Sequence, residues 1–283
     1  MTEKEKLMET FHAFAQFCEK HQLKYFAAYG TALGAVRHHG FIPWDDDIDV
    51  HMMREDYDRM LMLRDHLPAN YRISDISDFG YTASFAKFID NNSSIWENEH
   101  VPYMLGAYID IFPLDDCSNS REVLKKKFIF DKSFDKYYKS LYAWENKDIA
   151  RLLIKGRPIA FYYALQRKFI ESRRRGKYYR DMMNLYKEMT SLEADGYCIS
   201  TCALFPNKSI MKKEWFKDII EVAFEDTIIN IPAAYHKYLT YHYNDYMTEP
   251  PVEERTSHHG RFFVDLERKL TIEQAKAIMS KNK

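Results

Sequence analysis

Gly30-Thr31-Ala32-Leu33-Gly34-Ala35-Val36-Arg37-His38-His39-Gly40-Phe41-Ile42-Pro43-Trp44-Asp45-Asp46-Asp47-Ile48-Asp49-Val50 sets a small-residue turn a short loop ahead of four carboxylates in five positions. In an extended chain successive side chains alternate between faces. Asp45, Asp47 and Asp49 are therefore expected on one side, with Asp46, Ile48 and Val50 on the other. Three carboxylates on one edge repel one another and are costly in a core unless a divalent cation or a phosphate-bound metal compensates them. The pattern points to a hard-metal site. An acidic turn in solvent beside Pro43 is the competing account. Against it stand the Gly30 turn, which can offer backbone N–H groups and the Thr31 hydroxyl to a phosphate, and the basic pair Arg37 and His38 between turn and carboxylates.

Working outward, hydrophobic periodicity predicts a helix over 3–22, a short strand over 24–28 feeding the turn, a helix over 31–38 and a strand over 48–52. A helix is expected over 54–67, stopped by Pro68, then strands over 71–77, 81–90 and 107–112. After Pro113 the character changes. Residues 119–195 lack β signals and read as helices over 121–144, 149–175 and 177–192. Segments 198–204 and 221–231 read as extended and 232–243 as a helix. Helices alternating with strands that return to a shared edge indicate an α+β fold around a mixed sheet.

The 283 residues suffice for one large domain or two closely packed ones, and 46% hydrophobic with 29% charged residues is ordinary for a globular protein. A formal net charge of −1 excludes a molecule that binds polyanions through its overall field. No nucleic-acid module is recognisable, so no nucleic-acid partner is expected. The aromatic excess, 21 Tyr and 19 Phe, suits wet or sugar-like surfaces as well as cores. Cys18, Cys117, Cys198 and Cys202 have neither zinc spacing nor the density of a disulfide framework, which favours reduced thiols in the cytoplasm. The charged, amphipathic start lacks the apolar run of a signal peptide, and no transmembrane helix is expected.

One further stretch stands out. Residues 151–180 hold ten Lys or Arg against the single acid Glu171, interleaved with Phe161, Tyr162, Tyr163 and Phe169. A basic amphipathic helix fits an anionic lipid surface, and a solvated face of a core helix fits equally well. The first reading places the protein peripherally at the inner face of the membrane.

Gly30-Thr31-x-Leu33-Gly34-Ala35-Val36-Arg37-x-x-Gly40-Phe41-Ile42-Pro43-Trp44-Asp45-Asp46-Asp47-Ile48-Asp49 resembles the signature of the LicD/fukutin family of phosphotransferases, within the nucleotidyltransferase (polymerase-beta-like) superfamily. In that superfamily a Gly-Ser or Gly-Thr turn opens a helix and binds nucleotide phosphates. An Asp-x-Asp on the next strand binds metal, and a third carboxylate arrives from a later strand. Asp110, in Tyr108-Ile109-Asp110-Ile111-Phe112-Pro113-Leu114-Asp115, matches the third position. Phe85-Ala86-Lys87 with Asp90 resembles the family's strand carrying a basic residue, and Tyr246-Met247-x-x-Pro250-Pro251 with Arg255, His258 and His259 resembles its C-terminal block.

The resemblance implies a nucleotidyltransferase-like mixed-sheet core over residues 1–118, a largely helical insertion over 119–195 and an α/β part over 196–283 completing the same domain. It implies transfer of a phospho-alcohol, foremost phosphocholine from CDP-choline, to a hydroxyl of a lipopolysaccharide or teichoic acid glycan, whose acceptor can be lipid-linked, with CMP as product. Mg²⁺ or Mn²⁺ would be held by Asp47, Asp49 and Asp110, with Asp110 as first and Asp45 as second choice for the base that deprotonates the acceptor. Gly30, Thr31, Arg37 and Lys87 would contact phosphate, and His258 and His259 phosphate or acceptor. Trp44 would pack on a quaternary ammonium or a base, or else in the core. Two alternatives stay open: a nucleotidyltransferase using an NTP donor, and a non-catalytic glycan- or lipid-binding scaffold without metal dependence.

Overall fold

Phe26–Ala27 (β1), Asp49–Met53 (β2), Tyr108–Cys117 (β6), Ala86–Asp90 (β4) and Tyr71–Ser74 (β3) hydrogen-bond side by side in that order. β2 and β6 run parallel, and the other pairs are antiparallel. Tyr197–Ser200 (β7) adds to the far half of β6, and Ile210–Lys212 (β8) adds to β7, which makes a seven-stranded mixed sheet. The computed structural model describes residues 1–200, 208–256 and 260–281.

The first helix, Glu3–His21 (α1), starts at a reciprocal cap. The Glu5 N–H donates to the Thr2 hydroxyl and the Thr2 N–H to the Glu5 carboxylate. Its stripe of Leu7, Phe11, Phe14, Phe17 and Cys18 packs on the sheet together with Tyr29–His38 (α2), Arg54–Met62 (α3), the hairpin of Ile219–Phe224 (β9) with Thr227–Pro232 (β10), and Tyr235–Tyr243 (α8). A second core lies under Arg121–Ser140 (α4) and Ser172–Met189 (α7), with Phe130, Tyr137, Met182 and Met189 against Ile199 of β7. Between these two helices come Asn146–Ile154 (α5) and Pro158–Gln166 (α6), the latter running through a π-helical turn, Arg167–Glu171, into α7. Ser94–Trp96 (β5) pairs with Phe263–Asp265 (β11), and Ile272–Lys281 (α9) ends the described chain.

Three departures from the sequence reading have physical causes. Strand β6 runs through Pro113 to Cys117, where an end at Phe112 was expected. The Asp110 N–H donates to Ile48 O on the β2 edge, so the nitrogen of residue 113 faces the opposite edge. On that edge β4 pairing stops at Ile111 and β7 pairing starts at Leu114, so the missing N–H falls in a gap and costs no ladder bond. Second, the helix expected over 149–175 breaks at Gly156, whose φ is +65°, and restarts with Pro158 at the first turn of α6. No new helix begins at 177; the chain stays helical from 158 to 189. Third, 221–231 is a hairpin of two strands turning at Glu225, where φ is +52°. Among the described residues no helix is long and apolar enough to cross a membrane.

Candidate active site

Helix α2 begins as the chain leaves β1, without a side-chain cap: Ala28 precedes it, and the Tyr29 N–H donates to the Tyr238 hydroxyl at 2.9 Å. Gly30 is thus the second helical residue, and the expected turn is merged into the first turn of the helix. Tyr29, Gly30, Leu33 and Arg37, at helical spacing, line one side of a cleft of about 590 Å³. Its floor and mouth hold Asp45, Asp47 and Asp49, and the opposite wall comes from Tyr243, Asp245, Tyr246, Thr248, Glu254 and Thr256.

Two glycines let the acidic loop close on this helix. A Cβ at Gly30 would sit 2.5 Å from Asp45 Oδ2, and one at Gly34 would meet the carbonyl oxygen of Gly40. The strand proper starts only at Asp49, so 45–48 is irregular where an extended run was expected. The alternation survives all the same. Asp45, Asp47 and Asp49 line the cleft, whereas the Asp46 carboxylate lies toward Arg261, with Oδ2 3.8 Å from Nη2, and the same Nη2 donates to the Asp46 carbonyl at 2.9 Å.

Sheet register assembles the deeper charges. Asp49 pairs with Asp110 across the parallel β2/β6 ladder, and Asp110 with Lys87 across the antiparallel β6/β4 ladder, which puts the three on one face. Lys87 Nζ donates to Asp110 Oδ1 at 2.6 Å and sits 3.4 Å from the centre of the Tyr108 ring. Both are buried and neither is among the residues that line the cleft. Thr31 is buried too, and its hydroxyl accepts the Asp49 N–H at 2.8 Å, so it fixes the start of β2. Burial, then the charges of Asp45 and Asp110, push the Asp47 carboxyl up to about 9. Burial and the carboxylates Asp49, Asp45 and Asp47 likewise push the Tyr243 phenol well up, which marks it as facing the acidic cluster.

On the outer wall Arg37 donates from Nε to His38 Nε2 and from Nη1 to the Tyr246 carbonyl, each at 2.9 Å. His38 must keep the lone pair that accepts this bond, and burial with the adjacent guanidinium holds its pKa below the usual range. Trp44 is half-buried and lines the cleft, with the Arg255 guanidinium 5.2 Å over its ring and paired to Glu249 at 2.8 Å. His258 and His259 lie outside the described residues. Sequence reasoning missed Tyr243, Asp245, Glu254 and Thr256; only the acids flanking the Tyr246 and Pro250 block hinted at them.

As donors the cleft carboxylates are hard oxygens suited to a hard cation such as Mg²⁺. Their crowding, read in the raised Asp47 pKa, is relieved by positive charge. Among the described residues no three or more His, Cys, Asp or Glu side chains form by themselves a group able to hold a metal ion. Two carboxylates plus oxygens of a bound diphosphate are a usual Mg²⁺ shell, and Asp47 and Asp49 opening into a cleft fit that shared arrangement.

Residues 22–146 match the family model described as LicD/FKTN/FKRP, nucleotidyltransferase domain. The chain is 27% identical over 260 residues to the lipopolysaccharide cholinephosphotransferase LicD of Haemophilus influenzae, covering 89% of this chain and 92% of that protein. Shorter matches reach uncharacterized proteins of Rickettsia prowazekii, 38% identical over 29% of this chain and 26% of the relative, and of Rickettsia typhi, 47% over 18% and 16%. The 22–146 span contains the acidic loop, Lys87 and Asp110, while the opposite cleft wall comes from outside it.

Proposed function

On the premise that this chain belongs to the LicD/fukutin family through residues 22–146, we propose that it is a nucleotidyltransferase-like phosphotransferase that moves phosphocholine from CDP-choline to a hydroxyl of a lipopolysaccharide-type glycan, releasing CMP. The observation that carries this reading is the opening of Asp45, Asp47 and Asp49 together into one large cleft beside the start of α2. The transferred group and the acceptor class are those in the name of the Haemophilus relative, a lipopolysaccharide cholinephosphotransferase that aligns over most of both chains, and the CDP-linked donor is part of this proposal.

The acceptor oxygen attacks the phosphorus of the phosphocholine group, the bond from that phosphorus to the bridging oxygen breaks, and CMP leaves with that oxygen. Such a reaction needs positioning and charge neutralisation more than covalent help. Asp47 and Asp49 would hold Mg²⁺ or Mn²⁺, which supplies positive charge at the diphosphate oxygens. The acceptor proton goes to a cleft carboxylate. Asp45 suits this better than Asp110, because Asp110 is held by Lys87 while Asp45 lines the cleft. Gly30 and the α2 N-terminus lie where a phosphate can approach backbone N–H groups. Arg37, committed to His38 and to the carbonyls of Tyr246 and Thr248, braces the wall. Lys87 and Thr31 hold Asp110 and Asp49 in place.

The test is to incubate the purified chain with Mg²⁺, a glycan acceptor and either CDP-alcohols or NTPs, and to identify the nucleotide released. CMP from CDP-choline supports the reading. Pyrophosphate from an NTP favours the nucleotidyltransferase alternative, and no turnover with any donor favours a binding scaffold.

A further inference from the structure

Helices α5 and α6 hold large apolar side chains in solvent. Ile154 is 84% exposed, Ile159 72% and Tyr162 64%, with Tyr163, Phe169 and Ile170 about half exposed. A single exposed apolar residue needs no account, but a neighbouring set does. From 158 to 189 the chain is continuously helical; positions 159, 162 and 163 recur at helical spacing within α6, as do 173, 174 and 177 within α7, with the π-helical turn shifting the phase between the two sets. Exposed apolar Ile159, Tyr162 and Tyr163 on α6 are thus followed along the same continuous helix by exposed Arg173, Arg174 and Lys177 on α7, while Ala164 is buried. Arg151, Lys155 and Arg157 stand exposed around the end of α5, which packs on α6.

We propose that this face of α5, α6 and α7 docks on an anionic lipid bilayer, with the isoleucines and tyrosines at the headgroup boundary and the cations against lipid phosphate. Charge selects this occupant. Of the ten cations in 151–180, Arg151, Lys155, Arg157, Arg173, Arg174, Lys177 and Arg180 are exposed, and although Arg151 pairs with Asp148 and Lys177 with Asp181, the exposed patch stays net positive and an anionic surface complements it. A second copy docking on it about a twofold axis would oppose cation to cation. Arg175 is not part of the contact, because its Nε and Nη2 donate to the Ser140 carbonyl at 3.0 and 2.7 Å and tie α7 to the end of α4.

Flotation of the full chain on phosphatidylcholine vesicles, with and without about one third phosphatidylglycerol, tests this without reference to catalytic turnover. Binding is expected on the anionic vesicles at low salt and loss of binding at high salt. Arg173→Gln with Arg174→Gln should weaken partitioning about thirtyfold, near fivefold per cation, and Ile154→Ser with Ile159→Ser on the order of tenfold. Circular dichroism should show unchanged helicity in both variants. Equal flotation on both vesicle types, flotation on neither, or full binding by the folded variants overturns the proposal. Concentration-dependent dimerisation lost in Ile159→Ser, without vesicle binding, would assign the face to a second copy.

Discussion

The acidic cleft and the basic helices concentrate like charge in opposite settings, and the setting decides what the charge means. Asp47 and Asp49 sit where burial raises the cost of each negative charge, and the Asp47 carboxyl answers by holding its proton far above the usual range. Arg173 and Arg174 stand in water, where like charges cost little. A buried cluster therefore announces chemistry by itself. An exposed one does not, and only the apolar side chains left in solvent beside it point to a partner.

The sharpest way to break the comparison is to neutralise one member of each cluster. Asp49→Asn keeps the shape of the cleft but removes a charge suited to hold the metal, so CDP-choline turnover in Mg²⁺ should fall about a thousandfold or more with the thermal midpoint nearly unchanged. Asp46→Asn, whose side chain faces Arg261 rather than the cleft, should keep most of the activity. Activity in Asp49→Asn within tenfold of the parent would remove the cleft from the mechanism.

Next in size is the ion pair joining the two regions. Arg54 donates to both Asp115 oxygens, at 2.6 and 3.0 Å, and to the Tyr186 hydroxyl at 3.2 Å, tying α3 and β6 to α7. Arg54→Gln strands a buried carboxylate and should cost about 3 to 5 kcal/mol in urea unfolding. Lys177→Gln breaks an exposed i,i+4 pair with Asp181 and should cost under about 0.5 kcal/mol. Similar losses from both would mean that the helical region is not anchored through Arg54.

Gly30→Ala forces a methyl onto the Asp45 carboxylate, and turnover should drop on the order of a hundredfold through displacement of that group. Loss of stability without loss of turnover would contradict that reading.

His51 is fully buried, and burial with the nearby His242 holds its pKa at about 3. A folded pKa below the unfolded value near 6.5 gives stability that is complete above about pH 6.5 and is lost as pH falls toward 3, by up to about 1.4 kcal/mol per pH unit. Unfolding free energies measured from pH 7 to 5 should fall accordingly, and the slope should flatten in His51→Gln, which can keep a partner for the Tyr238 hydroxyl. An unchanged slope would put the acid sensitivity elsewhere. The smallest effect is Gly176→Ala in α7, where a Cβ would meet only the far end of Arg180 at 3.7 Å. The helix should gain about 0.5 to 1 kcal/mol.

The order of elements was legible in the sequence wherever a strong period met a strong stop. Helix α1 ends at His21, one residue from the expected boundary, because its apolar stripe and caps agree. The α+β class and the mixed sheet follow from the same patterns. The break at Gly156-Arg157-Pro158 is present in the sequence as turn chemistry, but the helical propensity on both sides outweighs it in a sequence window. Strands β5, β8 and β11, three residues each, carry too short a pattern for a period of two to show.

What the sequence determined alone is local. Spacing in 45–49 already suggests a division of Asp45, Asp47 and Asp49 from Asp46, and the cleft lining keeps it although 45–48 is irregular rather than extended. Which carboxylate opens into the cleft and which is paired internally is not local, for it depends on register. The β2, β6 and β4 ladders align Asp49, Asp110 and Lys87 in one row, which turns Asp110 into half of a buried ion pair and leaves Asp45 on the cleft. The Thr31 hydroxyl on α2 accepts the Asp49 N–H, and the wall of Tyr243, Asp245 and Glu254 arrives from some 200 residues away in sequence. Tertiary structure decided these contacts because the partners of a buried polar group are whatever the fold brings within about 3 Å, and no sequence window contains them.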